Sequence, residues 1–164
     1  MVPQDCSSAI YPCRDLLHCR FLHLAMDALF LNTGFLSGDV YNLTPKQAFS
    51  LCQQGAVIID VREEVLSRFK MFGVPEVIYC PFSILGETYE HLPKDKPMIF
   101  ADAAGLHSKE AVKLLMEKGL VDRIANLAGG LVEWERDEIP LVIDKTEKLS
   151  GSCMCQLRPR NKKD

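Results

Sequence analysis

The segment from Asp102 to Ser108, which reads DAAGLHS, places three side chains capable of chemistry close together in the sequence. It follows a short apolar run, 97–101, of the kind expected for a buried strand, and a helical pattern begins near His107. A strand, a tight glycine-containing loop and a helix start present a reactive group above the carboxyl edge of a sheet. Asp102, at the end of the strand, is therefore the first candidate for a catalytic residue.

Few reactions are available to Asp102, because the segment 102–108 contains no cysteine that could act as the nucleophile. A carboxylate is a covalent nucleophile in phosphoryl transfer, but such chemistry usually recruits magnesium, and the sequence has no Asp-x-Asp pair to bind it. Asp102 and His107 could form an acid–base pair. The simpler interpretation is that His107 is a surface residue hydrogen-bonded to its neighbours and that Ser108 caps the helix.

Seven cysteines form a second set of candidates. Five of them lie towards the ends of the chain, namely Cys6, Cys13, Cys19, Cys153 and Cys155, and the other two are Cys52 and Cys80. Cys52 and Cys80 fall at apolar positions, where cysteine behaves as a small hydrophobic residue. Cys153 and Cys155 form a Cys-x-Cys pair that could accept sulfur, bind a soft metal or act as a redox pair. The early cysteines, with His23, supply zinc-type ligands but lack a close Cys-x-x-Cys knuckle.

Composition and charge limit the class of protein. The 164 residues suit one domain with short extensions, 48% are hydrophobic, and the net charge of -3 argues against a nucleic-acid surface. The apolar run 21–36 is too short to span a membrane and contains His23 and Asp27. The odd cysteine count and the lack of a clean secretory signal favour a reducing cytoplasm with free thiols.

The elements that would position the loop alternate regularly from residue 41. Thr44 is a predicted N-cap with Pro45 at the first helical position, and the run 56–61, AVIIDV, is typical of a fully buried strand. Strands are further predicted at 76–82, 97–101 and 123–129, and helices at 62–73, 83–92, 107–119 and 130–139. This alternation predicts a three-layer α/β/α fold with a mainly parallel sheet of about five strands.

Three regions are expected along the chain. Residues 1–40 form an N-terminal extension with an apolar helix near 16–31, which should pack either against the body of the domain or against a second copy. Packing against a second copy would make a homodimer. Translation starting at Met26 is the alternative interpretation of this region. Residues 41–143 form the domain, and residues 144–164 form a flexible Cys-x-Cys tail.

Residues 41–143 resemble the rhodanese (sulfurtransferase) domain family at several landmarks in the expected order. The resemblance lies in IIDVRE at 58–63, VPEVIYCPFS at 74–83, DAAGLHS at 102–108 and the long stretch 114–142, which includes Gly129, Gly130 and Trp134. The loop 102–108 aligns with the family's active-site pattern Cys-x-x-Gly-x-Arg-Ser. Gly73 and Glu76 depart from the residues most frequent there, a His and a Gly.

In that family, the resemblance implies, the loop cysteine takes a sulfane sulfur from a donor, holds it as a persulfide and passes it to a thiophilic acceptor. Here the cysteine position is Asp102 and the usual Arg is His107. Because a carboxylate oxygen cannot hold a persulfide, ordinary thiosulfate sulfurtransfer is expected to be absent. Asp102 should instead accept the backbone N–H groups of residues 104–108 and fill the loop with its own anion.

The resulting expectation is a binding or regulatory module that docks a protein partner through the loop. The alternatives are a sulfurtransferase or sulfur-relay protein that uses Cys153 or Cys155, and a thiol-based metal-binding or redox protein. No cofactor or metal is expected in the loop, and Asp60 and Arg62 should form an ion pair that supports it. The candidate site residues are Asp102, Ala103, Ala104, Gly105, Leu106, His107, Ser108, Asp60, Arg62, Cys153 and Cys155.

Overall fold

A computed structural model of the chain describes residues 33–120 and 123–144, and within them it contains eight strands and five α-helices. The strands are β1 (Phe35–Ser37), β2 (Val40–Leu43), β3 (Val57–Asp60), β4 (Lys70–Phe72), β5 (Val77–Tyr79), β6 (Met98–Ala101), β7 (Ile124–Leu127) and β8 (Leu141–Ile143). The helices are α1 (Pro45–Cys52), α2 (Glu64–Phe69), α3 (Phe82–Thr88), α4 (His107–Glu117) and α5 (Gly130–Arg136), with a 3₁₀ turn at Tyr89–His91.

The first helix begins as its sequence predicts. Thr44 accepts a hydrogen bond from the backbone N–H of Gln47, and the Gln47 side chain accepts one from the N–H of Thr44 at 2.9 Å. This reciprocal capping box satisfies two backbone donors that the first turn leaves unpaired. Pro45 occupies the first turn, where its missing N–H costs nothing.

Six strands form the main sheet in the order β1-β2-β7-β6-β3-β5. Only the β1–β2 pairing is antiparallel, so the carboxyl ends of the other five strands lie along one edge. Asp60 is the register partner of both Ala101 and Tyr79, and Asn42 is the partner of Asn126. The predicted α/β fold with a mainly parallel sheet is therefore confirmed, with six strands rather than about five.

The core lies in two layers, one on each face of this sheet. Alternate strand residues point to opposite faces, so Ile58 belongs to one apolar cluster and Ile59 to the other. The first cluster includes the fully buried Trp134 of α5. Its ring packs edge to face against the ring of Phe72, with 5.2 Å between the ring centroids. The second cluster packs α3 and α4 against the sheet. Helices on both faces hold the strand ends, and hence the loops, in fixed positions.

The predicted helix over 62–73 is wrong in its second half. Residues Lys70–Phe72 form β4, which pairs antiparallel with β8, so that Phe72 is opposite Leu141. The backbone N–H of Gly73 also donates to Pro140 O at 2.9 Å. A strand whose only partner lies far along the chain has little local signature, because its hydrogen bonds are made with that distant partner.

Several expectations fall outside the described residues. They are the helix near 16–31 with its homodimer contact, the cysteines of residues 1–32 with His23, and the tail with Cys153 and Cys155. No helix among the residues that the structure describes is long and apolar enough to cross a membrane.

Candidate functional site in the loop after β6

Asp102 lies where β6 ends, at the carboxyl edge of the sheet. Its side chain is only 5% exposed. The strand before it is buried along its whole length, and the five residues 102–106 connect it to α4. The strand and the helix therefore fix both ends of a very short loop, and the Asp102 carboxylate lies inside that loop.

The Asp102 carboxylate accepts hydrogen bonds from the backbone that surrounds it. Oδ1 accepts the N–H of Ala104 at 3.1 Å and the N–H of Gly105, and Oδ2 accepts the N–H of His107 at 2.9 Å. Converging N–H groups of this kind form an anion-binding nest. The predicted nest is present, and the donors come from residues 104, 105 and 107.

The helix α5 holds the same loop from the other side. The N–H groups of Leu131 and Val132 donate to Asp102 O and Ala103 O at 2.9 and 3.0 Å. This contact requires Gly130, which has a φ of +55°, because a Cβ there would lie 2.5 Å from Asp102 O. The Gly129–Gly130 pair thus lets α5 approach closely enough to fix the loop carbonyls.

Ser108 is not the helix cap that the sequence suggested. Its hydroxyl lies 2.6 Å from Asn126 Oδ1 and 3.2 Å from Asp102 Oδ1, and it is fully buried. Asn126 Nδ2 in turn donates to Asn42 Oδ1 at 2.8 Å. The two asparagines were missed by sequence reasoning, although a lone polar residue inside the apolar run 124–128 is a signal, since a buried amide needs partners.

Leu106 and His107 form the outer surface of the loop. Leu106 is 69% exposed, and the side chain of His107 is 70% exposed. His107 Nδ1 lies 3.7 Å from Asp102 Oδ2, and its ring centroid lies 6.1 Å from that of Phe82 on α3. The loop therefore presents Leu106 and the ring of His107 to the outside, next to the half-buried Phe82, while its polar interior is satisfied within the domain. We call Leu106, His107 and Phe82 the loop face.

Asp60 and Arg62 form a buried ion pair in the next loop along the edge. Arg62 Nε lies 2.9 Å from Asp60 Oδ1, and Arg62 Nη2 lies 2.5 Å from Asp60 Oδ2 and 2.7 Å from Lys70 O. The backbone N–H of Val61 donates to Ala101 O at 2.9 Å, which joins this segment to the strand that carries Asp102. The predicted ion pair is present, and it connects to the strand that carries Asp102 through this hydrogen bond rather than by contact with the carboxylate; its support of the loop stays a prediction.

Neither cysteine within the described residues is placed for nucleophilic chemistry. Cys52 and Cys80 are both buried, and burial raises the pKa of the Cys52 thiol to about 12. A thiol with so high a pKa carries almost no thiolate at neutral pH. No group of three or more metal-ligating side chains occurs in residues 33–120 and 123–144.

The fold, the loop after β6 and the buried Asp60–Arg62 ion pair together define a class of protein. The model of the rhodanese-like domain family matches residues 44–137, which is more than half of the chain. The chain therefore belongs to the rhodanese-like domain family.

Similar proteins from other organisms support the same family assignment. Thiosulfate sulfurtransferase GlpE of Haemophilus influenzae is 26% identical over 103 residues, which cover 60% of this chain and 91% of the relative. The putative sulfurtransferase YtwF of Bacillus subtilis is 31% identical over 83 residues, which cover 51% and 77%. The crystal structure of a rhodanese-related protein from Thermoplasma volcanium has a TM-score of 0.56 and 26% identity, covering 63% of this chain and 98% of that one.

Proposed function

We propose that this rhodanese-like domain does not carry out thiosulfate sulfurtransfer in its loop and serves as a binding or regulatory module. The observation that carries the proposal is the position of the Asp102 carboxylate, which accepts three backbone N–H groups inside the loop. The nest that would hold an anionic donor already holds an anion of the chain itself. An external oxyanion would meet both a filled site and a like charge.

The chemistry of sulfur transfer explains why the carboxylate matters. In the family's reaction, a thiolate attacks the outer sulfur of thiosulfate, the S–S bond breaks and sulfite leaves. The resulting persulfide gives its outer sulfur to cyanide, which forms thiocyanate and restores the thiolate. A carboxylate is a weak nucleophile towards sulfur, and three backbone N–H donors already engage the oxygens of Asp102.

The loop face supports a binding role. Leu106 is 69% exposed at the tip of the loop, next to His107 and Phe82. Exposed apolar and aromatic side chains on a rigid support are typical of protein-binding surfaces. The bonds from α5 hold the loop in one shape, so that a partner would not have to order it on binding.

An assay of thiocyanate production from thiosulfate and cyanide tests the catalytic part of the proposal. Wild-type protein should form thiocyanate no faster than a reaction without protein. The same assay on the Cys153→Ser/Cys155→Ser variant removes the tail thiols. Turnover like that of an ordinary rhodanese in both proteins would refute the proposal of a binding module, because it would show sulfur transfer that does not need the tail thiols.

Photo-crosslinking tests the binding part. A benzoylphenylalanine introduced at Leu106 samples the loop face, and the same group at Leu36 is the matched control, because Leu36 is 66% exposed on β1 at the far edge of the sheet. Irradiation in the cells that make the protein should yield a specific adduct at Leu106 that Leu36 lacks. The same adducts at both positions would contradict docking through the loop.

A second candidate is sulfur transfer through the Cys-x-Cys pair. The observation that favours it is that the loop holds no thiol and that both cysteines within the described residues are buried. Accessible thiol chemistry would then belong to the extensions. Persulfide-labelling mass spectrometry after incubation with a sulfane-sulfur donor should find the modification on Cys153 or Cys155. Labelling of neither residue would exclude this candidate.

A further inference from the structure

A cleft of about 440 Å³ opens beside β5, the edge strand of the main sheet, and is separate from the loop after β6. Its walls come from α2, β4 and the start of α3, and they are mostly apolar. The lining residues are Glu64, Ser67, Arg68, Met71, Tyr79, Pro81 and Ile84. Both Tyr79 and Ile84 are exposed large hydrophobic residues, so the cleft leaves apolar surface uncovered within the described part of the chain.

The start of α3 contributes residues to both the cleft and the loop face. Ile84 and Pro81 line the cleft, and Phe82 between them in sequence contacts the ring of His107. A group bound in the cleft would therefore lie beside the loop face. Tyr79 stands on the same edge, and its pKa is raised by burial and by the Asp60 carboxylate, while Arg62 lowers it.

The chain leaves the domain at this same cleft. In the β4–β8 pair, Val142 is the register partner of Met71, a lining residue. The backbone N–H of Asp144 then donates to Phe69 O at 3.1 Å, directly after the lining residue Arg68. Asp144, the last residue that the structure describes, therefore lies beside the cleft wall.

The length of the following segment brings its thiols within reach. Cys153 is the ninth residue after Asp144. Nine residues span at most ~30 Å when fully extended. A tether of this length keeps a group at millimolar effective concentration near its root. The segment also contains Leu149, Met154 and Leu157, whose apolar side chains suit apolar walls.

Electrostatic attraction also favours residues 145–164 as the segment that occupies the cleft. Residues 33–144 contain 11 Lys and Arg against 17 Asp and Glu, whereas residues 145–164 contain six against two. At the cleft itself, Glu64 pairs with Arg68, whereas Glu87 is exposed three positions after Ile84, on the same side of α3. The basic segment and the acidic domain attract each other, most strongly at low ionic strength.

We propose that residues 145–164 dock on this cleft and place Cys153 and Cys155 beside the loop face. The apolar residues of the segment cover Tyr79 and Ile84, and its basic residues lie against Glu87. The inference holds whether or not these thiols carry sulfur. A partner that approached the loop face would meet the two thiols as part of the same surface.

Disulfide trapping in the full chain tests this placement. Ile84→Cys puts a thiol on the cleft wall at a position that is already 45% exposed, so the core is not disturbed. The matched control is Arg136→Cys, because Arg136 has a side chain 65% exposed on α5, only eight positions before Asp144 in the sequence, and does not line the cleft. Under mild diamide oxidation, Ile84→Cys should form an intrachain disulfide with Cys153 or Cys155 at least about fivefold faster than the control.

Peptide mapping by mass spectrometry assigns each disulfide. Equal rates for the two variants would refute docking. Disulfides to Cys6, Cys13 or Cys19 would show that the N-terminal extension occupies the cleft. Interchain disulfides whose yield falls on dilution would show a second copy there. Each of these outcomes rejects the tail as the occupant.

Charge reversal separates docking from mere proximity. A variant with four basic residues changed to Glu keeps the length of the tether and its thiols. The changed residues are Arg158, Arg160, Lys162 and Lys163. In this background the Ile84→Cys rate should fall towards that of the control, and added salt should have the same effect on the unchanged tail. A rate that both changes leave unaltered would refute the electrostatic part of the proposal.

Discussion

Asp102→Asn removes the negative charge from the loop while keeping the shape of the side chain. The carboxylate oxygens face only donors: the N–H groups of Ala104 and Gly105 and the Ser108 hydroxyl at one oxygen, and the N–H of His107 at the other. An amide can keep its oxygen towards the first two, but its NH₂ group then faces the N–H of His107, donor to donor. The bonds that remain also lose their charge assistance.

The cost of Asp102→Asn follows from these contacts. Hydrogen bonds to a charged group contribute about 1.5–3 kcal/mol, and a buried donor left unpaired costs about 1–3 kcal/mol. The N–H of His107 is only partly buried, so water can replace some of what is lost. We therefore expect the free energy of unfolding to fall by about 1–3 kcal/mol.

Urea unfolding followed by tryptophan fluorescence measures this change, because Trp134 is the only tryptophan and is fully buried. With a slope of ~2 kcal/mol per molar urea, a loss of ~2 kcal/mol moves the midpoint by ~1 M. Asp39→Asn in the exposed turn between β1 and β2 is the control and should change stability by less than ~0.5 kcal/mol. If Asp102→Asn shifts the midpoint no more than this control does, the carboxylate does not hold the loop and our account of it is wrong.

Further predictions concern the thiols, the ion pair and the glycine under the loop. Asp102→Cys should place a thiol in the nest with a pKa below the free value of ~8.5, so iodoacetamide should alkylate it at neutral pH and weak thiocyanate formation should follow; an ordinary or higher pKa, with no sulfur transfer, would show that the loop is not an anion nest. Arg62→Leu should lower the free energy of unfolding by ~3–5 kcal/mol because it leaves Asp60 buried without its cation, and it should cost clearly more than the double change Arg62→Leu/Asp60→Leu; equal losses would argue against a coupled pair. Gly130→Ala should destabilise the domain, measured in the same urea assay, because its Cβ would lie 2.5 Å from the carbonyl oxygen of Asp102; unchanged stability would mean that α5 can move away from the loop. With a pKa of about 12, Cys52 stays protonated in the folded protein while the unfolded thiol ionises near 9.0, so its contribution to stability is complete below pH 9 and is lost as the pH rises towards 12; Cys52→Ala should flatten that alkaline loss in urea titrations between pH 8 and pH 11.

Local signals account for much of what could be predicted from the sequence. The capping residues at Thr44 and Pro45, the buried strand at 57–60 and the loop after β6 depend on neighbours within a few positions, and the structure contains each of them. The amphipathic and fully apolar runs, in alternation, determine a parallel sheet covered on both faces. The presence of an aspartate at the end of β6, and the absence of a thiol from its loop, can be read from the sequence directly.

Tertiary structure decided the features that depend on residues far apart in the chain. Lys70–Phe72 form a strand because they pair with Leu141–Ile143, which lie far along the chain. Ser108 became a member of a buried chain of hydrogen bonds, rather than a cap, because Asn126 and Asn42 stand beside it in the folded sheet. A buried hydroxyl forms a hydrogen bond with an acceptor that the fold places beside it, and a short strand pairs with a neighbouring strand. In both cases the partner is determined by the packing of segments that are distant in the sequence.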